Sequence, residues 1–282
     1  MQPNVDTGEF TLIPQLANTA AVEVIPMRSA PEKLALLRAH TTVTVTCSPK
    51  LGLDATLDLS HTAVAAGHRV VPHLAARQIS SEKELADIVD QLTAMGVRDV
   101  FVIGGDAATP SGEFGSSAEL LEAIARGEHA FDSVGVGCYP EGHSTISDDI
   151  LLADLLHKQR YATYMVSQLC FSAPALITWL QQIRTDGVSL PLRLGLAAPL
   201  KTHKLVEISL KVGVGSSLRF LTKQKGFVGN LLVGSTYRPE LLLEEMSESL
   251  SSTTLGIEGL HLFSFNQVAE AVAWQRRVGE AS

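Results

Sequence analysis

Residues 131–143 read FDSVGVGCYPEGH, and this stretch holds the pattern that decides the fold. A short run of valines and glycines leads to Cys138, where the polar and aromatic segment YPEGH begins. An apolar run of this length is typical of a buried parallel strand. α/β enzymes place their chemistry at such strand ends, because the sheet fixes the backbone while the side chains reach solvent.

Similar apolar runs alternate with helix-period segments along nearly the whole chain, which is typical of a parallel sheet with crossover helices. We predict eight strands, at 21–26, 42–47, 69–74, 99–104, 133–138, 165–169, 192–197 and 259–265. Eight strand–helix units within about 250 residues predict a (β/α)8 TIM barrel of the α/β class. A doubly wound open sheet is the alternative, although its first turn is usually rich in glycine and here reads IPMRSAPE.

Capping signals predict where several helices begin. The S-x-x-E pattern of a capping box occurs at Ser81, before a strongly periodic segment, and again at Ser29 after the first strand. Ser172 is predicted to cap a further helix. The segment 213–254 is too long for one connection, so we expect extra helices before the last strand.

Length and composition predict a single domain over residues 1–282, with residues 1–20 as a loosely held N-terminal extension. The formal net charge of −8 and the lack of a basic stripe disfavour a nucleic-acid partner. No apolar run reaches the length that crosses a bilayer, and no secretory signal is visible at the start. Three widely spaced cysteines disfavour a disulfide framework. We therefore expect a cytoplasmic protein without a membrane partner.

In a barrel, the carboxyl ends of all strands face one mouth. The polar residues and cysteine at those ends are therefore candidates for a single site: Glu23, Thr46, Cys47, His73, Asp106, Tyr139, Glu141, His143, Gln168 and His261. The histidines and cysteines match no compact metal-binding spacing, so we predict no metal. The glycine pattern at 213–217 is too short to predict a phosphate site.

Two carboxylates among these candidates point to chemistry. Glu23 lies within the apolar run AAVEVIP, where an ionised carboxylate is costly unless it is hydrogen-bonded, ion-paired or kept protonated. A protonated carboxyl there is a candidate general acid, and the alternative is a structural pair with a neighbouring Arg or Lys. Asp106 follows VFVIGG, whose glycines allow a sharp bend and a close ligand, and the alternative is a turn or N-cap aspartate.

Seven segments, taken in order, resemble the methylenetetrahydrofolate reductase family: VEVIPMR, VTVTCSP, VVPHLAAR, VFVIGGD, FDSVGVGCYPEGH, MVSQLCF and GLHLFSFN. The likeness runs from about residue 21 to residue 274, and YPEGH and SQLCF are its most specific parts. It implies a (β/α)8 oxidoreductase of one-carbon metabolism and methionine biosynthesis. Such an enzyme reduces 5,10-methylenetetrahydrofolate, its small-molecule substrate, to 5-methyltetrahydrofolate with a nicotinamide hydride.

The resemblance also implies residue roles. Glu23 would be the general acid that opens the imidazolidine ring of the folate. Asp106 would bind the pterin and stabilise developing positive charge, and Gln168 would contact the pterin. The residues implied to bind the cofactor are Thr46, His73, Tyr139, His143 and Lys158.

The chain departs from the family at the flavin. Gly104 stands where the family strand usually has the arginine of Arg-Gly-Asp, and the helix after His143 lacks the usual dense Arg-Lys pattern. Loss of positive charge where a pyrophosphate would sit disfavours FAD. We therefore predict direct hydride transfer from NADH or NADPH, with NADH slightly favoured. Two alternatives stay open: an FAD-dependent enzyme with the same reaction, and a folate-binding barrel without turnover.

Overall fold

The computed structural model describes residues 12–211 and 236–280, and its centre is a closed barrel of eight parallel strands in sequential order. The predicted TIM barrel is confirmed and the doubly wound alternative is wrong, because the last strand pairs with the first. The strands are β1 Ala21–Val24, β2 Thr42–Val45, β3 Arg69–Ala75, β4 Asp99–Ile103, β5 Ser133–Cys138, β6 Tyr164–Ser167, β7 Leu192–Ala197 and β8 Ile257–Phe263.

Helices surround the barrel. Those in the described part of the chain are α1 Leu12–Thr19, α2 Ala30–Leu34, α3 Gly52–Ala65, α4 Glu82–Ala94, α5 Ser117–Arg126, α6 Asp148–Lys158, α7 Ala173–Thr185, α8 Thr202–Lys211, α9 Glu240–Glu245, α10 Ser247–Leu250 and α11 Val268–Gly279. The short helices α9 and α10 confirm the extra helices expected before the last strand. The glycine pattern at 213–217 lies outside the described residues.

Two of the three predicted helix caps are confirmed. Ser81 Oγ accepts a hydrogen bond from the Glu84 N–H at 3.2 Å, and Ser172 Oγ accepts one from the Ala175 N–H at 3.3 Å. The reciprocal half of the capping box at Ser81 is not formed, because the Glu84 side chain accepts from the Ser80 N–H at 2.7 Å instead. The prediction at Ser29 is wrong, because this residue precedes α2 but makes no side-chain capping bond. Its backbone (φ −88°, ψ 4°) is not in the extended conformation that a capping side chain usually requires.

The first helix is tied to the body of the protein. Gln275 Nε2 donates to the carbonyls of Ala17 and Ala20, at 3.2 and 3.1 Å, and Leu16 and Ala17 are buried. We expected residues 1–20 to be a loosely held extension, whereas residues 12–19 form a packed helix. The buried apolar face of α1 supplies the contacts that composition alone does not reveal.

The amino end of the barrel interior is filled by side chains. Tyr164 donates to Asp99 Oδ1 at 2.8 Å, and Arg193 stacks on the Tyr164 ring at 3.4 Å while it pairs with Asp99 Oδ2 at 3.2 Å. Burial is the main cause of a raised pKa at Asp99. A cavity of about 650 Å³ opens at this end, away from the residues predicted to be functional. None of the described helices combines the length and the apolar character needed to cross a membrane.

Candidate active site

Glu23 lies inside the barrel, in the middle of β1, and is only 7% exposed. One of its oxygens, Oε2, faces two imidazoles: His261 Nε2 at 3.2 Å and His73 Nε2 at 3.9 Å. Both histidines are buried. Among the described residues, Glu23 therefore pairs with histidines from β8 and β3 and not with an Arg or Lys.

His73 is held as a neutral ring. Burial lowers its pKa to about 4, although the Glu23 carboxylate acts in the opposite direction and His261 adds to the lowering. The ring packs against Phe101 with 4.8 Å between centroids, and Nε2 has no hydrogen-bond partner within the described chain. At neutral pH this imidazole therefore adds no positive charge beside Glu23.

The end of β8 fastens the end of β1. Ser264 Oγ donates to the Glu23 carbonyl, and Asn266 bonds both backbone groups of Ile25, accepting from N–H at 2.8 Å and donating to the carbonyl at 3.0 Å. Phe265, between them, has a positive φ of 48°, which is unusual for a residue with a side chain. Strained backbone of this kind persists where its surroundings determine it and clusters at functional sites.

Asp106 stands on the rim of the mouth. It follows Gly105, which has φ +87° and whose added Cβ would lie 3.0 Å from Ala75 Cβ. Asp106 is exposed, and its carboxylate has no hydrogen bond or ion pair with the described residues. It caps no helix, since Ser116 is the N-cap of α5. The rim therefore carries a carboxylate without a partner among the described residues.

Tyr139 and His143 form an aromatic pair after β5. Their rings meet edge to face with centroids 5.1 Å apart, and His143 Nδ1 accepts from the Thr145 N–H at 3.2 Å. Burial raises the pKa of Tyr139, and the charges of Cys138, Asp154 and Asp106 add to the effect.

Glu141, between them in sequence, has a structural role. Its Oε1 accepts from the N–H groups of Phe171 and Ser172, at 2.7 and 2.9 Å, at the start of α7. A carboxylate at a helix amino end is favoured by the helix dipole. The contact fastens the loop after β5 to the loop after β6, and this explains the acidic residue of YPEGH without giving it a chemical role.

Gln168 and Thr46 also end strands at the mouth. The Gln168 N–H donates to the Cys138 carbonyl at 2.8 Å, and its side-chain Oε1 accepts from the Leu169 N–H at 2.9 Å. Thr46 directly follows β2, its N–H donates to the Val24 carbonyl at 3.1 Å, and its Oγ1 is buried without a partner among the described residues. A buried hydroxyl without a partner is costly, so it is a group that a ligand could satisfy.

Lys158 is 6% exposed and forms an ion pair with Asp154 one turn earlier in α6. The pair is internal to the helix, so the positive charge of Lys158 is already matched. Its assignment to cofactor binding stays a prediction, and this pairing does not favour it.

Sequence reasoning missed an aromatic wall beside the acid. Phe263 follows His261 on the same face of β8, with ring centroids 4.7 Å apart, and Phe265 stacks 6.5 Å further on. Phe171 and Tyr237 meet edge to face at 5.7 Å in the same apolar cluster. In the sequence HLFSF, rings occur at every second position, at His261, Phe263 and Phe265. This alternation is the signal that could have predicted three rings on one face.

The fold is a TIM barrel, and near the carboxyl ends of its strands a buried carboxyl group lies beside two histidines and an aromatic wall. The chain belongs to the methylenetetrahydrofolate reductase family, whose family model matches residues 29–217. The matched region carries Asp106, Tyr139 and Gln168 but not Glu23 or His261.

Solved structures share the fold. A protein of Burkholderia cenocepacia J2315 described as a lyase or mutase has 15% identity and a TM-score of 0.51, covering 98% of this chain and 94% of its own. A 2,3-dimethylmalate lyase of the PEP mutase/isocitrate lyase superfamily has 11% identity and a TM-score of 0.51, with 94% and 80% covered. At these identities the likeness is one of fold alone.

Within residues 12–211 and 236–280, no cluster of three or more His, Cys, Asp or Glu side chains could hold a metal ion.

The contact of Glu23 with His261 is a hydrogen bond between two groups that can each carry a proton.

Proposed function

We propose that this protein reduces 5,10-methylenetetrahydrofolate to 5-methyltetrahydrofolate with NADH or NADPH, by direct hydride transfer. The observation that carries the proposal is the Glu23 carboxyl, buried against His261 at 3.2 Å at the base of a mouth whose rim holds the unpaired Asp106. Membership of the family supports a folate-related reductase. Family membership does not specify the hydride donor or the absence of flavin, and both are part of the proposal.

Glu23 supplies the proton. It protonates a nitrogen of the imidazolidine ring, the bond from that nitrogen to the bridging carbon breaks, and an iminium cation forms. A hydride from the reduced nicotinamide then adds to that carbon, giving the methyl group and the oxidised nicotinamide. One proton and one hydride are consumed, so charge and electrons balance. Glu23 is left ionised until solvent returns its proton.

His261 and His73 keep Glu23 suited to this task. His261 Nε2 forms a hydrogen bond with Oε2 at 3.2 Å, which fixes the orientation of the carboxyl group, and His73 Nε2 lies 3.9 Å from the same oxygen. Because His73 is neutral at ordinary pH, it does not stabilise the ionised carboxylate as an imidazolium ion would. His73 therefore lies next to the Glu23 carboxyl group without placing a positive charge against it.

Asp106 provides the electrostatic part of the reaction. Its exposed carboxylate, which has no hydrogen bond or ion pair with the described residues, can hydrogen-bond the pterin ring while stabilising the iminium cation. Gln168, at the end of β6, offers its amide N–H groups to the same ring. Acid-assisted ring opening requires two different carboxyl groups: a protonated one that donates the proton and an ionised one that stabilises the cation.

Charge supports direct transfer over a bound flavin. FAD would need cations for its pyrophosphate, yet Gly104 replaces the arginine that the family resemblance leads one to expect. Lys158 is matched by Asp154, and α6 begins with the acidic Asp148 and Asp149. Two carboxylates at a helix amino end disfavour a further anion there. These residues do not fit the flavin diphosphate.

The test is NADH oxidation by flavin-stripped protein under anaerobic conditions, followed by absorbance after methylenetetrahydrofolate is added. Folate-dependent loss of NADH, with methyltetrahydrofolate as product, is expected. Turnover only after addition of FAD would overturn the direct transfer and keep the reductase. If the protein binds folate but shows no turnover when NADH, NADPH and FAD are each supplied, the proposed enzyme is wrong. The protein would then be a folate-binding barrel.

A further inference from the structure

Arg77 bonds the loop that follows β4. It lies in the 3₁₀ turn Ala76–Gln78, directly after β3. Its guanidinium donates through Nε to the carbonyl of Ala107 at 2.7 Å, through Nη2 to that of Ala108 at 2.8 Å, and through Nη1 to that of Gly115 at 3.2 Å. Hydrogen bonds from a charged donor are stronger than those between neutral groups. One side chain therefore fixes both ends of this loop.

The Arg77 backbone adds two further bonds. Its N–H donates to the carbonyl of Gly104 at 3.0 Å, and its carbonyl accepts from the N–H of Ser111 at 3.0 Å. Gly104 comes shortly before Asp106, and Ala107 comes directly after it. The backbone on which Asp106 stands is therefore held by Arg77 from both sides.

Asp106 needs support through its backbone, because no described residue holds its side chain by a hydrogen bond or an ion pair. The residue is exposed, follows a glycine with positive φ, and makes no ionic or hydrogen-bonded contact of its own with the described residues. A binding group ordered before its ligand arrives avoids the entropy cost of ordering upon binding. An ordered loop can therefore fix the direction in which the Asp106 carboxylate points.

We infer that Arg77 is a positioning residue, which orders the loop 104–116 so that Asp106 meets the pterin of the folate. This inference rests on the proposed function, because it takes Asp106 as a folate-binding group. The three side-chain hydrogen bonds of Arg77 all go to loop carbonyls, so the inference gives it the role of holding the loop and not of binding the folate.

The experiment compares Arg77→Ala and Arg77→Lys with an Arg98→Ala control, in the full chain. Arg98 is an exposed arginine that pairs with Asp132 at 2.8 Å at the amino end of the barrel. Folate Kd is measured by titration, and amide hydrogen exchange is measured over residues 104–116. In Arg77→Ala we expect folate affinity to fall by about tenfold to a hundredfold and exchange in the loop to accelerate. Arg77→Lys should lie between, and Arg98→Ala should match the unmodified protein.

A double-mutant cycle with Asp106→Asn shows whether Arg77 acts through Asp106. Arg77→Ala should cost little further affinity once Asp106 has been replaced. Unchanged affinity in Arg77→Ala, or the same fold loss with and without Asp106, overturns the inference while leaving the proposed function intact. Unchanged affinity in Asp106→Asn alone overturns the role of Asp106 in the proposed function, and with it this inference. If Arg77→Ala does not fold, Arg77→Lys supplies both readouts.

Discussion

His261 Nε2 and Glu23 Oε2 lie 3.2 Å apart, although 238 positions separate the two residues in the chain. β1 and β8 become neighbours only when the barrel closes, with Glu23 in register with Phe263 and Ala21 in register with His261. Closure therefore assembles the acid and its imidazole partner in the same step. Both side chains are withdrawn from water, so the hydrogen bond between them is stronger than it would be on the surface.

The first prediction concerns Glu23. In Glu23→Gln the side chain keeps its size but cannot deliver the proton, so we expect kcat to fall by about 10² to 10⁴-fold. Folate Kd, measured by titration, should change little, because the amide still fills the same space. Turnover close to that of the unmodified protein would remove Glu23 from the role of general acid.

The second prediction concerns the partner of Glu23. His261→Leu removes the group 3.2 Å from Oε2, so the carboxyl group loses its orientation and kcat should fall by about tenfold or more. His261→Gln retains a hydrogen-bond donor of similar reach and should recover part of that loss. The steady-state kcat and the folate KM distinguish the cases. Equal kcat values for Leu and Gln would mean that His261 contributes by packing alone.

The third prediction is a pH dependence of stability. Burial lowers the pKa of His73 from 6.5 to about 4, so between these values the unfolded chain binds more protons than the folded one. The free energy of unfolding should therefore decrease by about 3 kcal/mol as the pH falls from about 6.5 towards 4. The titration of other groups adds its own changes to this one. Urea unfolding at several pH values measures this slope. His73→Asn should flatten it, and an unaltered slope in that variant would contradict the assignment.

The fourth prediction concerns a glycine inside the barrel. A Cβ on Gly195 would lie 2.1 Å from the Ser167 carbonyl oxygen and 2.7 Å from the Phe263 ring. Because backbone cannot move aside cheaply, Gly195→Ala should lower the free energy of unfolding by about 3 kcal/mol. The matched control is Gly259→Ala on the neighbouring strand, where the nearest atom is an ordinary 3.7 Å away. Equal stability of the two variants, by chemical denaturation, would contradict this packing.

Much of the fold could be predicted because its signals are local. Two strands, β5 and β7, match their predicted limits, and the other six differ by up to a few residues at their ends. The cap at Ser172 followed the same logic, since a side chain bonds a backbone group three residues away. The cap predicted at Ser29 is wrong because the backbone there (φ −88°, ψ 4°) is not extended, and the sequence pattern does not reveal that conformation.

The site was predicted as a set of residues but not as a set of contacts. Glu23 and Asp106 could be named because a carboxylate in an apolar run, or after two glycines, is unusual in itself. Three contacts could not be inferred: Glu23 faces His261 and His73, Glu141 accepts from backbone N–H groups at the start of α7, and Lys158 pairs with Asp154. Partners of this kind are chosen by side-chain direction as well as by strand order.

The sequence alone determined the barrel, the family resemblance and the carboxylates on which the proposed chemistry depends, because hydrophobic periodicity and residue type are properties of neighbouring positions. Only the tertiary structure decided which of those residues meet. Barrel closure brings β8 to β1, and the turn after β3 brings Arg77 to the loop that carries Asp106. The physical reason is that hydrogen bonds and burial act over a few ångströms in space, whatever the separation along the chain.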